Sequence, residues 1–229
     1  MLLRMFSLKY YKFKKDYYPI IIEDELVVLD ICSNNFFFFD KNESLEILNI
    51  TSSVHPFIPD HLSFFFEKSK LSLEIIAFDE INGIDNYSWS DVKFFRKDTN
   101  LKISIYDKSL IIFLYFAFQI NKNSFFKYKI NLLNFIKRFL EKPSSININY
   151  ANSAANYIHD ISKYLPFRLK CLEFSFILTA FLYLKRINCT MHIGVQKYDF
   201  LSHAWVSIEN DIISDSPHLS DNLAIILSI

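Results

Sequence analysis

Apolar positions near the front of this chain come in short runs split by polar turn formers. Residues 26–32 (LVVLDIC) and 36–39 (FFFF) flank Ser33-Asn34-Asn35, a pattern that predicts a hairpin with the Asn pair in the turn. Asp40 stands three residues before Glu43, the spacing of a capping box, so a helix is predicted through Leu45 and Leu48. After Pro56 and Pro59 a second short helix is predicted over residues 60–68, with Leu62, Phe65 and Phe66 available for packing. Hairpin and helices together fit a small winged-helix-like module over residues 1–85, able to take an extended peptide on a strand edge. An extension of one larger core fits them equally. Gly83, Asp85 and Asn86 mark the boundary, and residues 86–106 read as a connecting region.

Beyond it the period becomes helical. Residues 107–119, 125–141 and 151–165 are predicted helices separated by Asn/Ser/Lys and Lys-Pro-Ser-Ser segments. In the second, Leu132, Leu133, Phe135, Ile136, Phe139 and Leu140 form an apolar face, with Lys137 and Arg138 solvating the other side. The most apolar run, LIIFLYFAF at 110–118, has about half the length needed to cross a bilayer. A buried helix is therefore preferred, and only a peripheral membrane contact stays open. Pro166 stops the chain before KCLEFSFILTAFLYLKR, a hydrophobic helix beginning near Cys171 with Lys185 and Arg186 at its C-terminal end. Residues 189–195 read as a strand. Residues 203–208 alternate, with His203, Trp205 and Ser207 on one face, and residues 212–215 supply a further short strand.

Composition narrows the class. In 229 residues, 25 Lys+Arg balance 25 Asp+Glu, which argues against a generic nucleic-acid binder. With 51% hydrophobic residues, 25 Phe and 13 Tyr, the chain is not wholly disordered. Only two glycines occur, so tight turns must largely use Asn, Asp or Ser. The start, MLLRMFSLKYYKFKKD, lacks a signal-peptide pattern, and three cysteines make no disulfide scaffold; a reducing cytoplasm is the expectation.

Candidate chemistry centres on Cys171. In the first turn of a helix, unpaired amides and the helix dipole would stabilise its thiolate, although by itself a buried core cysteine is the commoner case. The order that follows changes the balance: helix with Cys171, strand with His203, strand with Asp215. That is the order a papain-like Cys-His-Asp site requires, with nucleophile, proton-transfer base and orienting acid. Register sharpens the expectation. A three-residue loop at 209–211 would set Asp215 diagonal to His203, whereas a two-residue turn at 210–211 would turn it away unless a bulge compensates. No Gln stands shortly upstream of Cys171 to serve as an oxyanion donor. Asn152, Ser153 and Asn156 are candidate neighbours, though solvated helix positions or caps suit them better. Trp205 could wall a cleft or simply pack. No metal site is predicted, because alternation sets Cys189 and His192 on opposite strand faces. His55, His61, His159 and His218 read as capping, packing or surface residues.

At L-P-F-R-L-K-C-L with Cys171, M-H-I-G-V at 191–195, His203-Ala-Trp205 and Asp215, the sequence resembles the transglutaminase-like B proteins of lasso-peptide biosynthesis. The resemblance is strongest over residues 165–215. It implies an α+β protein in which a recognition module precedes a transglutaminase-like (papain-like) cysteine peptidase domain, here residues 107–229. Cys171, His203 and Asp215 map to nucleophile, base and orienting acid. The implied reaction is hydrolysis of a lasso-peptide precursor at the leader/core junction, before an asparagine-synthetase-like cyclase closes the core. ATP dependence is implied too, with no P-loop and no ATP site assigned here. A transglutaminase-like acyltransferase and a non-catalytic precursor-binding scaffold are the alternatives.

Overall fold

The computed structural model describes residues 9–82, 94, 96–99, 101–119, 126–138, 147–167, 169–197, 200–213, 215–217 and 219–229. The chain divides into two compact units, Met1–Ile84 and Asp85–Ile229.

In the first unit, four strands, β1 (Tyr10–Phe13), β2 (Tyr17–Ile22), β3 (Glu25–Asp30) and β4 (Asn35–Phe38), precede α1 (Lys41–Ser52) and α2 (Asp60–Ser69). Strands β5 (Leu71–Ile76) and β6 (Asp79–Ile81) follow. One sheet has the order β4-β3-β2-β6, with β6 parallel to β2, and β1 pairs with β5 in a separate antiparallel ribbon. The β3–β4 hairpin closes at Asp30 opposite Asn35, and Asn34 takes a left-handed φ of 55°. The Asp30 carboxylate accepts from the Cys32 amide at 2.8 Å and the Ser33 hydroxyl at 2.7 Å, which shapes the turn. The capping box forms as read: Asp40 Oδ1 accepts from the Glu43 amide at 2.9 Å, and Glu43 Oε2 from the Asp40 amide at 3.2 Å. A core of Phe13, Leu26, Val28, Ile47, Leu62, Phe65 and Phe66 joins sheet to helices.

This unit carries more strand than a hairpin-plus-helices reading expects, since β1, β2, β5 and β6 are additional. The β2–β3 link is a two-residue turn in which Glu23 and Asp24 take φ of 51° and 65°. That backbone ordinarily selects Asn-Gly, so its sequence signal is absent here. Pro19 sits in β2 outside the stretch 20–22 that pairs with β6, where its missing N–H breaks no ladder bond to β6.

The second unit holds α3 (Ile105–Gln119), α4 (Phe126–Arg138), α5 (Ile148–Ser162) and α6 (Cys171–Leu184). After them come β7 (Thr190–Gln196), β8 (Leu201–Ile208), β9 (Asp211–Ile212), α7 (Leu219–Asn222) and β10 (Ala224–Ser228). The sheet runs β10-β7-β8-β9, antiparallel throughout. Helix α6 is buried without a break from Ser175 to Tyr183 and packs against α3, α4, α5 and β8, which is why its sequence is apolar on every face.

Boundaries shift where side chains cap. Helix α5 opens three residues earlier than read, because Asn147 Oδ1 accepts from the Tyr150 amide at 2.9 Å. Helix α3 opens at Ile105, behind Ser104, whose hydroxyl accepts from the Asp107 amide at 3.2 Å. In α4, Phe135 is exposed, and Phe139 and Leu140 of the expected apolar face lie outside the described residues. Within 110–118, Ile111, Leu114, Tyr115 and Phe118 are buried while Phe113 and Phe116 are exposed. Among the described residues no helix is long and apolar enough to cross a membrane.

Candidate active site

Cys171 is the first residue of α6, with Lys170 as its N-cap. The Glu173 carboxylate folds back to accept the Lys170 amide at 3.1 Å, and the helical ladder opens with the Phe174 amide on the Lys170 carbonyl at 2.9 Å. Amides of the first turn have no carbonyl one turn earlier in the helix to bond. The approach to Cys171 is anchored: Tyr115 Oη donates to the Phe167 carbonyl at 2.6 Å and accepts from the Phe167 amide at 2.8 Å. Cys171 is a free, half-buried thiol.

His203 lies on β8 and is buried. Its Nε2 meets Asp215 Oδ2 at 2.7 Å, and Asp215 Oδ1 accepts from the Ser216 amide at 2.8 Å. The other ring nitrogen, Nδ1, is buried and has no partner within hydrogen-bond geometry among the described residues. Burial favours the neutral ring, but the Asp215 bond and the Cys171 side chain outweigh it and push the pKa up to about 9. Cys171, His203 and Asp215 line one cleft of about 220 Å³ together with Phe94, His159 and Phe174.

A folded pKa near 9 against an ordinary 6.5 means that this ring stabilises the fold fully below pH 6.5, and that the contribution is lost as pH rises through 9. Melting temperature is therefore expected to fall across that window, and to fall less in Asp215→Asn. Equal slopes in the two proteins would rule out the His203–Asp215 pair as the cause.

The route by which Asp215 arrives differs from both register expectations. Pairing of Ser207 with Ile212 and of Ile208 with Asp211 leaves a two-residue turn, Glu209-Asn210, with Glu209 at φ 53°. Neither the three-residue loop nor the turn at 210–211 forms. The ladder stops after Ile212, apart from an Ile213 amide bond to the Val206 carbonyl at 2.9 Å, and Asp215 reaches His203 from a bend rather than from a strand.

Opposite His203 in the sheet stands Gly194. A Cβ there would come within 2.6 Å of the Trp205 ring and 2.8 Å of Leu223 Cβ, so this glycine makes room for the indole beside the histidine. Trp205 is buried and packs with Leu201, Ile212, Leu219 and Leu223; packing, not walling the cleft, is its place. Gly194→Ala is expected to destabilise the protein by about 1–3 kcal/mol through overpacking. A denaturant midpoint equal to that of the unmodified protein would show that the ring can yield.

His192 is held by serines, Nε2 with Ser207 Oγ and Nδ1 with Ser228 Oγ, both at 2.9 Å. Cys189 is buried, and burial pushes its thiol up to about 12, far from nucleophilic use. Asn152, Ser153 and Asn156 depart from the expectation of solvated positions: all three are buried. Ser153 Oγ meets Thr99 Oγ1 at 2.7 Å, and Asn156 Nδ2 donates to the Lys97 carbonyl at 2.8 Å. Lys97 Nζ in turn donates to the Ile212 carbonyl at 2.9 Å. These residues hold the segment 96–99 against α5 and the end of β9, and none of them lines the Cys171 cleft.

His159, read as a packing or surface residue, lines the cleft, stacked on Phe94 with centroids 3.8 Å apart. Only the i, i+3 and i+4 periodicity of α5 could have hinted at its direction, and nothing marks Phe94 in the sequence. His61 pairs with Glu46 at 2.9 Å, His55 is exposed, and His218 lies outside the described residues.

Residues 135–228, which include Cys171, His203 and Asp215, match the transglutaminase-like superfamily. The chain is 26% identical over 203 residues to the Microcin J25-processing protein McjB of Escherichia coli, covering 82% of this chain and 95% of that protein. No solved structure matches. The chain thus carries a transglutaminase-like match within its second unit and is similar to McjB through most of its length.

Proposed function

We propose that this protein is a cysteine leader peptidase that hydrolyses a lasso-peptide precursor at the junction of leader and core. The observation that carries the reading is the state of His203: one nitrogen is bonded to Asp215 at 2.7 Å, and the ring lies buried in the cleft that Cys171 lines. A ring oriented in this way can take the thiol proton on Nδ1 and return it to a leaving amine.

In the proposed reaction Cys171 Sγ attacks the junction carbonyl and a C–S bond forms. The oxyanion is met by first-turn amides of α6. Protonation of the amine by His203 then breaks the C–N bond and frees the core with a new amino terminus. His203 next takes a proton from water, whose oxygen attacks the thioester; the leader leaves with a carboxylate and the thiol is restored. The freed amine is what an asparagine-synthetase-like cyclase needs as the nucleophile of an isopeptide bond.

For the first unit we propose leader recognition by strand addition. Strand β4 stands at one edge of its sheet, beside β3, and an extended leader could continue the ladder there.

The transglutaminase-like match favours one second reading, acyl transfer to an amine instead of water. Incubation with a cognate precursor and its cyclase, followed by mass analysis, separates the two. Two separate fragments are expected, whose masses add up to the precursor plus one water, or to the precursor itself once the cyclase has closed the core with loss of water. A mass-conserving crosslink or an amine adduct would replace hydrolysis by transfer, and binding without any turnover would leave a scaffold.

A further inference from the structure

Near the point at which β9 stops pairing lies a buried hydrogen bond that involves neither His203 nor Asp215. Since the Val206 carbonyl accepts the Ile213 amide, carbonyls at even positions of β8 point to the β9 edge, and the Ala204 carbonyl is the next in line. Continuing the observed register by three residues would set Asp215 opposite Ala204, with the Asp215 amide as donor to that carbonyl. In that arrangement the Asp215 side chain would share a sheet face with Ala204 and point away from His203.

The ladder does not continue, and the carbonyl is not left bare. Ser175 Oγ donates to it at 3.0 Å in a fully buried bond, and Ser175 itself is 1% exposed. Ser175 lies four residues after Cys171, one turn further along the same helix and on the same face. A single hydroxyl thus ties the nucleophile's helix to the strand residue next to the base. It also bonds the carbonyl that the Asp215 amide would use if the ladder continued.

We propose that Ser175 is a positioning residue of the site: its hydroxyl sets the approach of Cys171 to His203 and keeps Asp215 out of the ladder and on the imidazole. The inference rests on the Cys171–His203–Asp215 reading of the cleft. It deepens that reading by naming what holds the three groups in register, a buried serine that touches neither substrate nor any reacting atom.

The test reads the thiol directly in the full-length protein. Alkylation of Cys171 by iodoacetamide is followed against pH by peptide mass, in parallel with precursor cleavage, for the unmodified protein, Ser175→Ala, Ser175→Thr and Ser175→Val. Ser175→Ala is expected to slow alkylation at neutral pH about tenfold and to lower kcat about 10- to 100-fold with little change in KM, as for a displaced but intact catalytic pair. Its alkaline limb should move to lower pH, because His203 loses part of the hold of Asp215. Thr and Val have one shape and differ in the hydroxyl, so Thr should recover the profile where Val does not, including in the event that the Ala variant folds poorly. A Ser175→Ala profile superimposed on the unmodified one, or equal losses in Thr and Val, overturns the proposal. Cys171→Ala run alongside keeps the two ideas apart. If it cleaves normally the reading of the cleft fails, whereas a dead Cys171→Ala beside an unaffected Ser175→Ala sinks only the role of Ser175.

Discussion

Cys171→Ala is expected to lower precursor cleavage at least about 10³-fold while precursor binding stays intact. The size of the effect follows from what is removed and what is left. Sγ is the atom that would form the covalent bond, and the methyl group that replaces it has no lone pair with which to attack a carbonyl. His203, its Asp215 partner and the first-turn amides of α6 remain, so residual hydrolysis would measure what orientation and oxyanion contacts achieve alone. The substitution deletes one half-buried sulfur at a helix terminus, and the fold should tolerate it. Quantitative mass analysis of precursor and fragments reads the first half, and titration of the same variant with precursor reads the second. Cys189→Ala is the matched control, since that thiol is buried and held protonated by its surroundings. Retained cleavage in Cys171→Ala, with contaminating peptidases excluded, would remove the proposed nucleophile.

The second large effect is at Asp215. Asp215→Ala leaves Nε2 of a buried imidazole without its acceptor and takes away the charge that raises its pKa, so kcat is expected to fall about 10²- to 10⁴-fold. Asp215→Asn separates the two contributions. An amide oxygen can still accept from Nε2 and keep the ring oriented, but it carries no charge. Activity should survive better than in the alanine variant, and the alkaline limb of kcat/KM should move below the value near 9 that the carboxylate supports. The sign is fixed: without the negative charge the imidazolium is less stable, so it gives up its proton at lower pH. An alkaline limb that stays in place in Asp215→Asn would show that some other group titrates there.

Much of the site is readable in the sequence because its parts are local. Cys171 heads a helix because Pro166 ends what precedes it and an unbroken apolar run follows; His203 sits on a strand because residues 203–208 alternate. The Asp40–Glu43 box is equally local, a pair of side chains exchanging bonds with each other's amides. What escapes is set by partners far away in the chain. Asn152, Ser153 and Asn156 look like solvated helix positions until residues 97–99 lie across them. The bond from Ser175 to the Ala204 carbonyl, beside the point where Asp215 leaves the sheet, escapes because its partners lie twenty-nine residues apart in sequence. Turns were hard to read for another reason. Glu23, Asp24 and Glu209 hold left-handed backbones without being Gly or Asn, so the usual punctuation is missing where the chain reverses.

Those turns carry a consequence for engineering. Among the described residues, six that are not glycine hold positive φ, and at such positions the ordinary rule of substitution inverts. Glycine, which loosens most sites, relieves strain at these. Glu209 is the most useful of them, since it closes the β8–β9 hairpin just before the chain leaves the sheet toward Asp215. Relaxing that corner would stabilise the hairpin from outside the cleft. Robustness and reactivity could then be tuned at separate addresses in the same short stretch of chain.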